Sequence, residues 1–309
     1  MCQEAELHGI TDTMTVNECL SKVSDKLREY SVPDYDNDSF LLLWHVTGIS
    51  RNDYFIKKDE EISDVYVQRL WELAERRIER EPLQHIIGSQ NFYGYDFYVD
   101  ADVLVPRQDT EILVENVIKK IMSDYKDTFP GTIMILDMCT GSGCIAISLY
   151  LELTKLGVKC DITASDISDK ALEVANRNRE ALIGDSDSFH IVKSDVFESI
   201  ERDNTFHIIV SNPPYIPTKD IEELQPEVRL HDPMIALDGD ADGLKFYRRI
   251  IKESESYIKD NGCLFFEIGY NQASDVTELM EERSYRDIEV YKDLSGYDRV
   301  ITGVHISEE

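Results

Sequence analysis

The run Ile133-Met-Ile-Leu-Asp137-Met-Cys139-Thr-Gly141-Ser-Gly143-Cys-Ile-Ala146 decides the fold. An apolar stretch ends in an acid, two glycines follow two residues apart, and helical spacing opens at Cys144. This is the pattern of a strand, a sharp turn and a helix. At Gly141 and Gly143 no side chain keeps a ligand from the backbone at the helix start. A glycine-rich turn without a ligand is the plain alternative. Gly141-Ser-Gly143-Cys-Ile-Ala146 also satisfies the G-x-G-x-x-A pattern of dinucleotide sites, so the glycines alone do not choose a cofactor.

Around this run, strand-like and helical segments alternate. IMILD at 133–137, DITASD at 161–166, HIIVSN at 207–212 and CLFFEIG at 263–269 read as strands, while Ser168 to Ile183 and Asp242 to Lys259 have helical spacing. Alternation of this kind predicts a parallel sheet wrapped by helices. Ile288 to Tyr291 and Arg299 to Val304, separated by the turn at Ser295-Gly296, are placed to pair antiparallel.

Upstream, the chain is helical from Thr15 to about Arg80. Thr15-Val-Asn-Glu18 has the spacing of a capping box, and Val16, Leu20, Val23 and Leu27 mark one face. Phe40 to Val46 and Val65 to Ile78 predict two more helices, with Gly48 ending the first and Ser63 capping the second. Between Glu81 and Pro106, aromatic residues around glycines predict a hairpin. The expected division is a helical substrate-recognition domain over 1–80, a β-hairpin linker over 81–105 and a catalytic domain over 106–309.

The chain has 309 residues, with 61 Asp and Glu against 32 Lys and Arg, a formal charge of −29. Such a surface repels polyanions, so binding to duplex nucleic acid is not expected. Arg76-Arg77 with Arg80, and Arg248-Arg249, read as solvated helix faces. Cysteines at 2, 19, 139, 144, 160 and 263 form no C-x-x-C pair, as in a reducing compartment. The stretch MCQEAELHGITDTM has no basic start and apolar core, and no apolar run is long enough to span a bilayer. A soluble, cytoplasmic monomer is expected.

Two acids follow the glycine loop at strand ends. Asp166, 23 residues after Gly143, is where an open α/β sheet places an acceptor for a ribose diol. Asp195 follows His190 to Ser194, as an acceptor for an adenine amino group or simply as a helix cap. The discriminating motif is Ser211-Asn212-Pro213-Pro214-Tyr215, directly after the strand HIIV. Two prolines fix the backbone and remove two amide donors, leaving the Asn212 side-chain oxygen and the Pro213 carbonyl as a rigid acceptor pair. An amide or exocyclic amine nitrogen is a poor nucleophile because its lone pair is delocalised. Acceptors on both of its hydrogens turn that lone pair toward an electrophile, and Tyr215 offers a face to the planar group. A nicotinamide-dependent oxidoreductase leaves this motif unexplained, and a silent binding module leaves Asn212 and Asp166 without purpose.

At these residues the sequence resembles the HemK/PrmC family of release-factor glutamine methyltransferases, over nearly the whole chain. The likeness is carried by Glu81-Pro-Leu-Gln-His-Ile-Ile-Gly88, Phe92-Tyr-Gly94, Val103-Leu-Val-Pro-Arg107-Gln-Asp-Thr-Glu111, the glycine loop and Asn212-Pro-Pro-Tyr215. It continues through Ala236-Leu-Asp-Gly239, Asp242-Gly-Leu, Tyr247-Arg248, Glu267-Ile-Gly269 and Asp293-Leu-Ser-Gly296. The N-P-P-Y motif alone also occurs in adenine-N6 methyltransferases.

The resemblance implies a class I, Rossmann-like methyltransferase fold, with a seven-stranded mostly parallel sheet and a small all-α amino-terminal domain. It implies S-adenosylmethionine at Asp137, Cys139, Thr140, Gly141, Ser142, Gly143, Asp166, Asp195, Val196 and Asn212, and no metal. The reaction implied is N5 methylation of the glutamine in the Gly-Gly-Gln motif of class I peptide chain release factors. Asn212, Pro213, Pro214 and Tyr215 then act on that glutamine, with Phe92, Arg107 and Glu111 also on the substrate side. The alternatives are a ribosomal-protein glutamine or an adenine. The chain departs from the family where Gln108-Asp109 replaces Pro-Glu, where Val196 replaces a common Trp beside the adenine, and where Cys139 replaces the first glycine. Cysteine rarely takes positive φ, so an ordinary backbone is expected at 139, with only its amide meeting the cofactor.

Overall fold

The computed structural model describes residues 14–126, 129–202 and 205–307, which fall into two compact units meeting at Ile87 and Gly88. The stretch at residues 1–13, with Cys2, lies outside the described residues.

The first unit is helical: α1 (Val16–Glu29), α2 (Tyr35–Thr47), α3 (Arg51–Lys57), α4 (Asp64–Ile78) and α5 (Leu83–Ile87). The capping box forms, with Glu18 N–H donating to Thr15 Oγ1 at 3.2 Å and Thr15 N–H to Glu18 Oε2 at 2.8 Å. Gly48 ends α2 in the left-handed conformation, φ 73°. Ser63 precedes α4 as expected, but its side chain makes no capping bond. The first turn closes instead on its carbonyl, which accepts from the Tyr66 and Val67 amides. The sequence reading did not identify α3. None of its residues is buried, so it carries no apolar stripe to read. Cys19, Val23, Leu27, Leu42, Leu43, Leu70 and Leu73 form the core of this unit.

One arginine assigned above to a solvated face is not there. Arg77 is 6% exposed, and its Nε donates to Asp38 Oδ2 at 2.8 Å. Helical spacing puts it on the same side as Leu70, Leu73 and Ala74, and the carboxylate from α2 compensates its burial.

The second unit opens with a hairpin, β1 (Gln90–Phe92) and β2 (Tyr95–Phe97), turning at Tyr93-Gly94. Then follow α6 (Glu111–Asp124), β3 (Ile133–Met138), α7 (Cys144–Lys155), β4 (Cys160–Asp166), α8 (Asp169–Leu182), β5 (Phe189–Lys193) and β6 (Phe206–Ser211). Short helices α9 (Pro226–His231) and α10 (Met234–Leu237) precede α11 (Lys245–Ser254), β7 (Ile258–Glu267), α12 (Ala273–Glu281), β8 (Tyr285–Lys292) and β9 (Asp298–His305). The seven strands from β3 onward form one sheet in the order β5-β4-β3-β6-β7-β9-β8. It is parallel except where β9 pairs antiparallel with β7 and β8, so the seven-stranded, mostly parallel expectation is met.

Alternate strand residues face opposite sides. Ile135, Ile162 and Ile208 pack under α6 and α7, whereas Leu136, Ile209 and Leu264 pack under α11 and α12. Phe92 and Phe97 of the hairpin are fully buried in the first of these layers. Among the described residues no helix is long and apolar enough to cross a membrane.

Removing one partner of a buried ion pair costs far more than the pair contributes, because the other charge stays desolvated. Asp38→Ala is expected to destabilise the helical unit by about 3–5 kcal/mol. Urea denaturation followed by circular dichroism measures it.

Candidate active site

Parallel pairing sets the carboxyl ends of the strands side by side. Met138 lies opposite Ser165 and Ser211, Asp166 opposite Lys193, and Ser211 opposite Phe266. The strand order reverses at β3, flanked by β4 and β6, and the crevice at such a point is where open α/β sheets bind ligands.

The glycine loop is held there from beneath and from the side. Asp137 is fully buried, and its Oδ2 accepts from Thr140 Oγ1 at 2.5 Å and from the Ala146 amide at 3.1 Å. Burial pushes its pKa up to about 7, against those two donors. Asp166 Oδ2 accepts from the Gly141 amide and Oδ1 from the Ser168 amide, each at 2.9 Å. Its carboxylate thus joins the loop to the start of α8. Gly143 has φ 82°, and a Cβ there meets Ala175 Cβ at 3.3 Å, so this turn requires glycine.

Cys139 corrects the expectation of an ordinary backbone, because its φ is +61°. Strand β3 ends one residue earlier, and Thr140 is tied back by its amide to the Ser165 carbonyl and by its hydroxyl to Asp137. The chain turns at 139 whichever residue stands there, and a non-glycine residue in that region costs about 1–3 kcal/mol. Burial raises the Cys139 thiol pKa, so it stays protonated.

The β5 end shows a second turn of this kind. Val196 has φ +54°, held by Ser194 Oγ donating to its carbonyl at 2.8 Å. Asp195 Oδ1 accepts from Arg249 Nη1 at 2.8 Å. The solvated-face reading therefore fails for Arg249, whose side chain α11 directs to the site. Arg248 is the outward member, pairing with Asp242.

At the β6 end, Pro213 is buried and Tyr215 partly so. Asn212 Nδ2 lies 3.5 Å from Thr110 Oγ1, and the Tyr215 hydroxyl donates to Glu267 Oε1 at 3.3 Å. Gln272 Nε2 donates to the Tyr215 carbonyl at 2.9 Å. Gly243 packs so closely on this loop that a Cβ lies 2.3 Å from the same carbonyl. After Tyr215 the chain leaves the sheet and returns. Ile216 N–H donates to the Leu237 carbonyl at 3.0 Å, and Gly239 N–H to the Ile216 carbonyl at 2.8 Å. The excursion between them is also held by Arg107, whose Nη2 lies 3.2 Å from Asp232 Oδ2. Burial raises Asp232 to about 6, opposed by Arg107.

These segments enclose a cavity of about 620 Å³. Of the residues expected at the site, Arg107, Cys139, Thr140, Gly141, Ser142, Asp166, Asp195, Val196, Asn212 and Pro214 line it. Asp137, Gly143, Pro213 and Tyr215 are not among the lining residues; Asp137 and Tyr215 are hydrogen-bonded beside it and Gly143 fits against Ala175. Phe92 lies in the core, and Glu111 accepts from the Tyr93 amide at 2.8 Å, which ties the hairpin to α6. The sequence reading missed Thr110, Phe246 and Arg249, and the apolar wall Pro233 to Ala236. Only the resemblance to a T-E motif singled out Thr110's segment, and the wall has no periodic signal.

The chain matches the PrmC N-terminal domain over residues 18–88 and the methyltransferase small domain over residues 109–228. It is 36% identical to the release factor glutamine methyltransferase of Clostridium acetobutylicum, over 94% of this chain and 99% of that one. The chain belongs to the release factor glutamine methyltransferase family. The enzyme so named in Agrobacterium fabrum is 37% identical over 93% of this chain and 96% of its own. A bifunctional methyltransferase of Rickettsia felis is 36% identical, and the chain spans 57% of its length. Among solved structures, the hMettl16 catalytic domain in complex with the MAT2A 3'UTR hairpin 1 aligns with a TM-score of 0.53. It is 14% identical over 96% of this chain and 99% of that one, which is a likeness of fold.

The protein is thus an S-adenosylmethionine-dependent methyltransferase, which sets the dinucleotide reading aside. The residues fit that cofactor: the cavity has the volume of a ligand site, loop amides and a carboxylate meet at one side, and an apolar wall stands at the other. Cys139 to Ser142, Asp166, Asp195, Val196 and Phe246 all line that cavity.

Asp166→Ala removes a carboxylate that lines the cavity and the tie to Gly141. Loss of one charged hydrogen bond, roughly 1.5–3 kcal/mol, weakens S-adenosylmethionine binding by about 10- to 150-fold, as calorimetry will read. At Cys139 the strained backbone makes β-branching costly. Cys139→Val is expected to lower stability by about 1–2 kcal/mol, while Cys139→Gly stays within about 1 kcal/mol of the parent in thermal denaturation.

Proposed function

We propose that this methyltransferase modifies the side-chain amide nitrogen of the glutamine in the Gly-Gly-Gln motif of class I peptide chain release factors. The names of its relatives support the substrate, and one observation carries the chemistry. Asn212 and Pro214 line the same cavity as the glycine loop, across the β3–β6 pairing of Met138 with Ser211. The turn that carries the Asn212 side chain and the Pro213 carbonyl is therefore next to the glycine loop, which supports this reading of the pair.

Bound in this cavity, S-adenosylmethionine supplies an electrophilic sulfonium methyl. The protein's part is positioning. The Asn212 oxygen and the Pro213 carbonyl each accept one N–H of the glutamine amide, which aims the nitrogen lone pair at the methyl. As the nitrogen bonds to the methyl carbon, that carbon's bond to the sulfonium sulfur would break and leave a neutral thioether, and the cationic amide would then give up a proton to water. A methylated amide is acidic enough to need no strong base. Burial raises the Tyr215 pKa, so its phenol remains a donor to Glu267 and its ring stays fixed behind the substrate. Arg107, held by Asp232, borders the entrance on the substrate side.

The helical unit is assigned to recognition of the release factor, since every cofactor residue belongs to the second unit. With a charge of −29, adenine in duplex nucleic acid is the poorer substrate. The expected setting is a monomer in the cytoplasm.

Asn212→Ala removes one preorganised acceptor and leaves both prolines. Single-turnover methyl transfer to a purified release factor, at saturating cofactor, is expected to fall about 100- to 1,000-fold with the fold intact. Peptide mapping locates the methyl group. Near-normal turnover by the folded variant removes Asn212 from the mechanism.

A further inference from the structure

We propose that Gln272 is a positioning residue for methyl transfer, holding the carboxyl end of the Asn212-Pro-Pro-Tyr215 segment so that its acceptors keep one direction. This rests on the glutamine-amide reading above and extends it to a residue outside the cavity lining.

A segment of this composition is hard to hold. Its two prolines have no N–H, so between Ser211 and Tyr215 the backbone has lost two of the donors with which it could bond to its neighbours. The amino end is fixed by the sheet, where Ser211 lies opposite Met138 and its hydroxyl donates to the Met138 carbonyl at 2.7 Å. The other end is fixed from outside, through a carbonyl.

Gln272, at the start of α12 and 6% exposed, supplies that bond. The orientation of its amide is settled by main-chain groups alone. Gly269 N–H only donates, and it meets Oε1 at 2.9 Å. The Tyr215 and Gly243 carbonyls only accept, and they meet Nε2 at 2.9 and 3.4 Å. Turning the amide over sets donor against donor and acceptor against acceptor. One side chain thus joins the chain leaving β7, the turn before α11 and the end of the N-P-P-Y segment.

The surroundings leave room for this arrangement and little else. A Cβ on Gly269 would lie 2.8 Å from Gln272 Oε1, and one on Gly239 would lie 2.9 Å from Tyr215 Cα. Tyr247, fully buried, donates to the Glu267 carbonyl at 2.8 Å and fixes the strand end from which Gly269 follows. Gly239, Gly243, Tyr247 and Gly269 each belong to a stretch that carries the family resemblance, and none of the four lines the cavity. Packing about Gln272 and Tyr215 gives them a common place.

The test uses the full chain with Gln272→Met, which keeps the length and removes the polar groups, and Gln272→Glu, which keeps the shape and removes the donor while ionised. Circular dichroism checks the fold, and calorimetry is expected to show unchanged S-adenosylmethionine affinity. Single-turnover methyl transfer at saturating cofactor is expected to fall about 10- to 100-fold in Gln272→Met, and as far in Gln272→Glu at about pH 8. A buried carboxyl facing two carbonyl oxygens takes up a proton readily, and its O–H then donates to Tyr215. Turnover of Gln272→Glu relative to the parent is therefore expected to rise about 5-fold or more as the pH falls to about 6. Tyr215, Asp242, Tyr247, Glu267 and Arg299, on the segments packed around this position, are common to parent and variant, so the parent's pH profile is the control. With asparagine side chains labelled, the Asn212 NH2, assigned from its loss in Asn212→Ala, is expected to give one sharp NMR signal in the parent and to shift or broaden in both variants at the higher pH. A parent-like Asn212 signal in the folded variants overturns the inference, whatever the substrate. So does parent-like turnover, a deficit in Gln272→Glu that does not lessen with falling pH, or one that tracks lost cofactor affinity. If Gln272→Met does not fold, Gln272→Glu decides. If the parent leaves release factors unmodified, the substrate reading fails, and the Asn212 signal alone upholds or overturns the role of Gln272.

Discussion

Parallel pairing of β3 with β4 on one side and β6 on the other is the constraint on which the site depends. Cys139, Asp166, Asp195, Asn212 and Glu267 come from five strands, and each stands at or within two residues of a strand's end. Their neighbourhood is therefore a matter of register. Side chains alternate between faces with period two, so a slip of one residue in β6 turns Asn212 away from the glycine loop and exchanges Ile208 for Ile209 in the core. Burial of both faces opposes such a slip. The packing that stabilises the sheet is also what aligns the chemistry.

Carboxylates dominate this edge, and the protein treats them differently. Asp166 spends its oxygens on two backbone amides, Asp195 is paired with an arginine, and Asp137 is sealed beneath the loop with one oxygen partnered among the described residues. Backbone strain accompanies them at Cys139 and Val196, where the chain turns out of β3 and β5. Strain of this sort persists only where surrounding bonds over-determine it. Here Thr140 with Asp137 and Ser194 with the Val196 carbonyl are those bonds.

Much of this was legible in the sequence, and the exceptions have physical causes. Strands buried on both faces read as apolar runs, and the glycine loop and N-P-P-Y need particular backbone torsions, so they show themselves locally. The capping box at Thr15 was legible for the same reason. Arg77 and Arg249 were not, because a charged residue is read as solvated unless its distant partner is known. Asp38 lies 39 residues from Arg77, and Asp195 lies 54 from Arg249. Cys139 was misread because residue preference was set above the demand of the turn. Helix α3 and the wall from Pro233 to Ala236 bear no periodic signal, and only the fold gives them a place.

The excursion after Tyr215 is stitched closed at its base, where Ile216 bonds to Leu237 and Gly239. Its two ends are fixed to one another independently of what lies between, while Met234 and Ile235 present apolar side chains that are about half exposed. Length and composition inside such a loop can drift without displacing the acceptor pair or the sheet. The excursion can thus change in length or sequence while the sheet edge beneath it, with the glycine loop and Asn212, keeps its geometry.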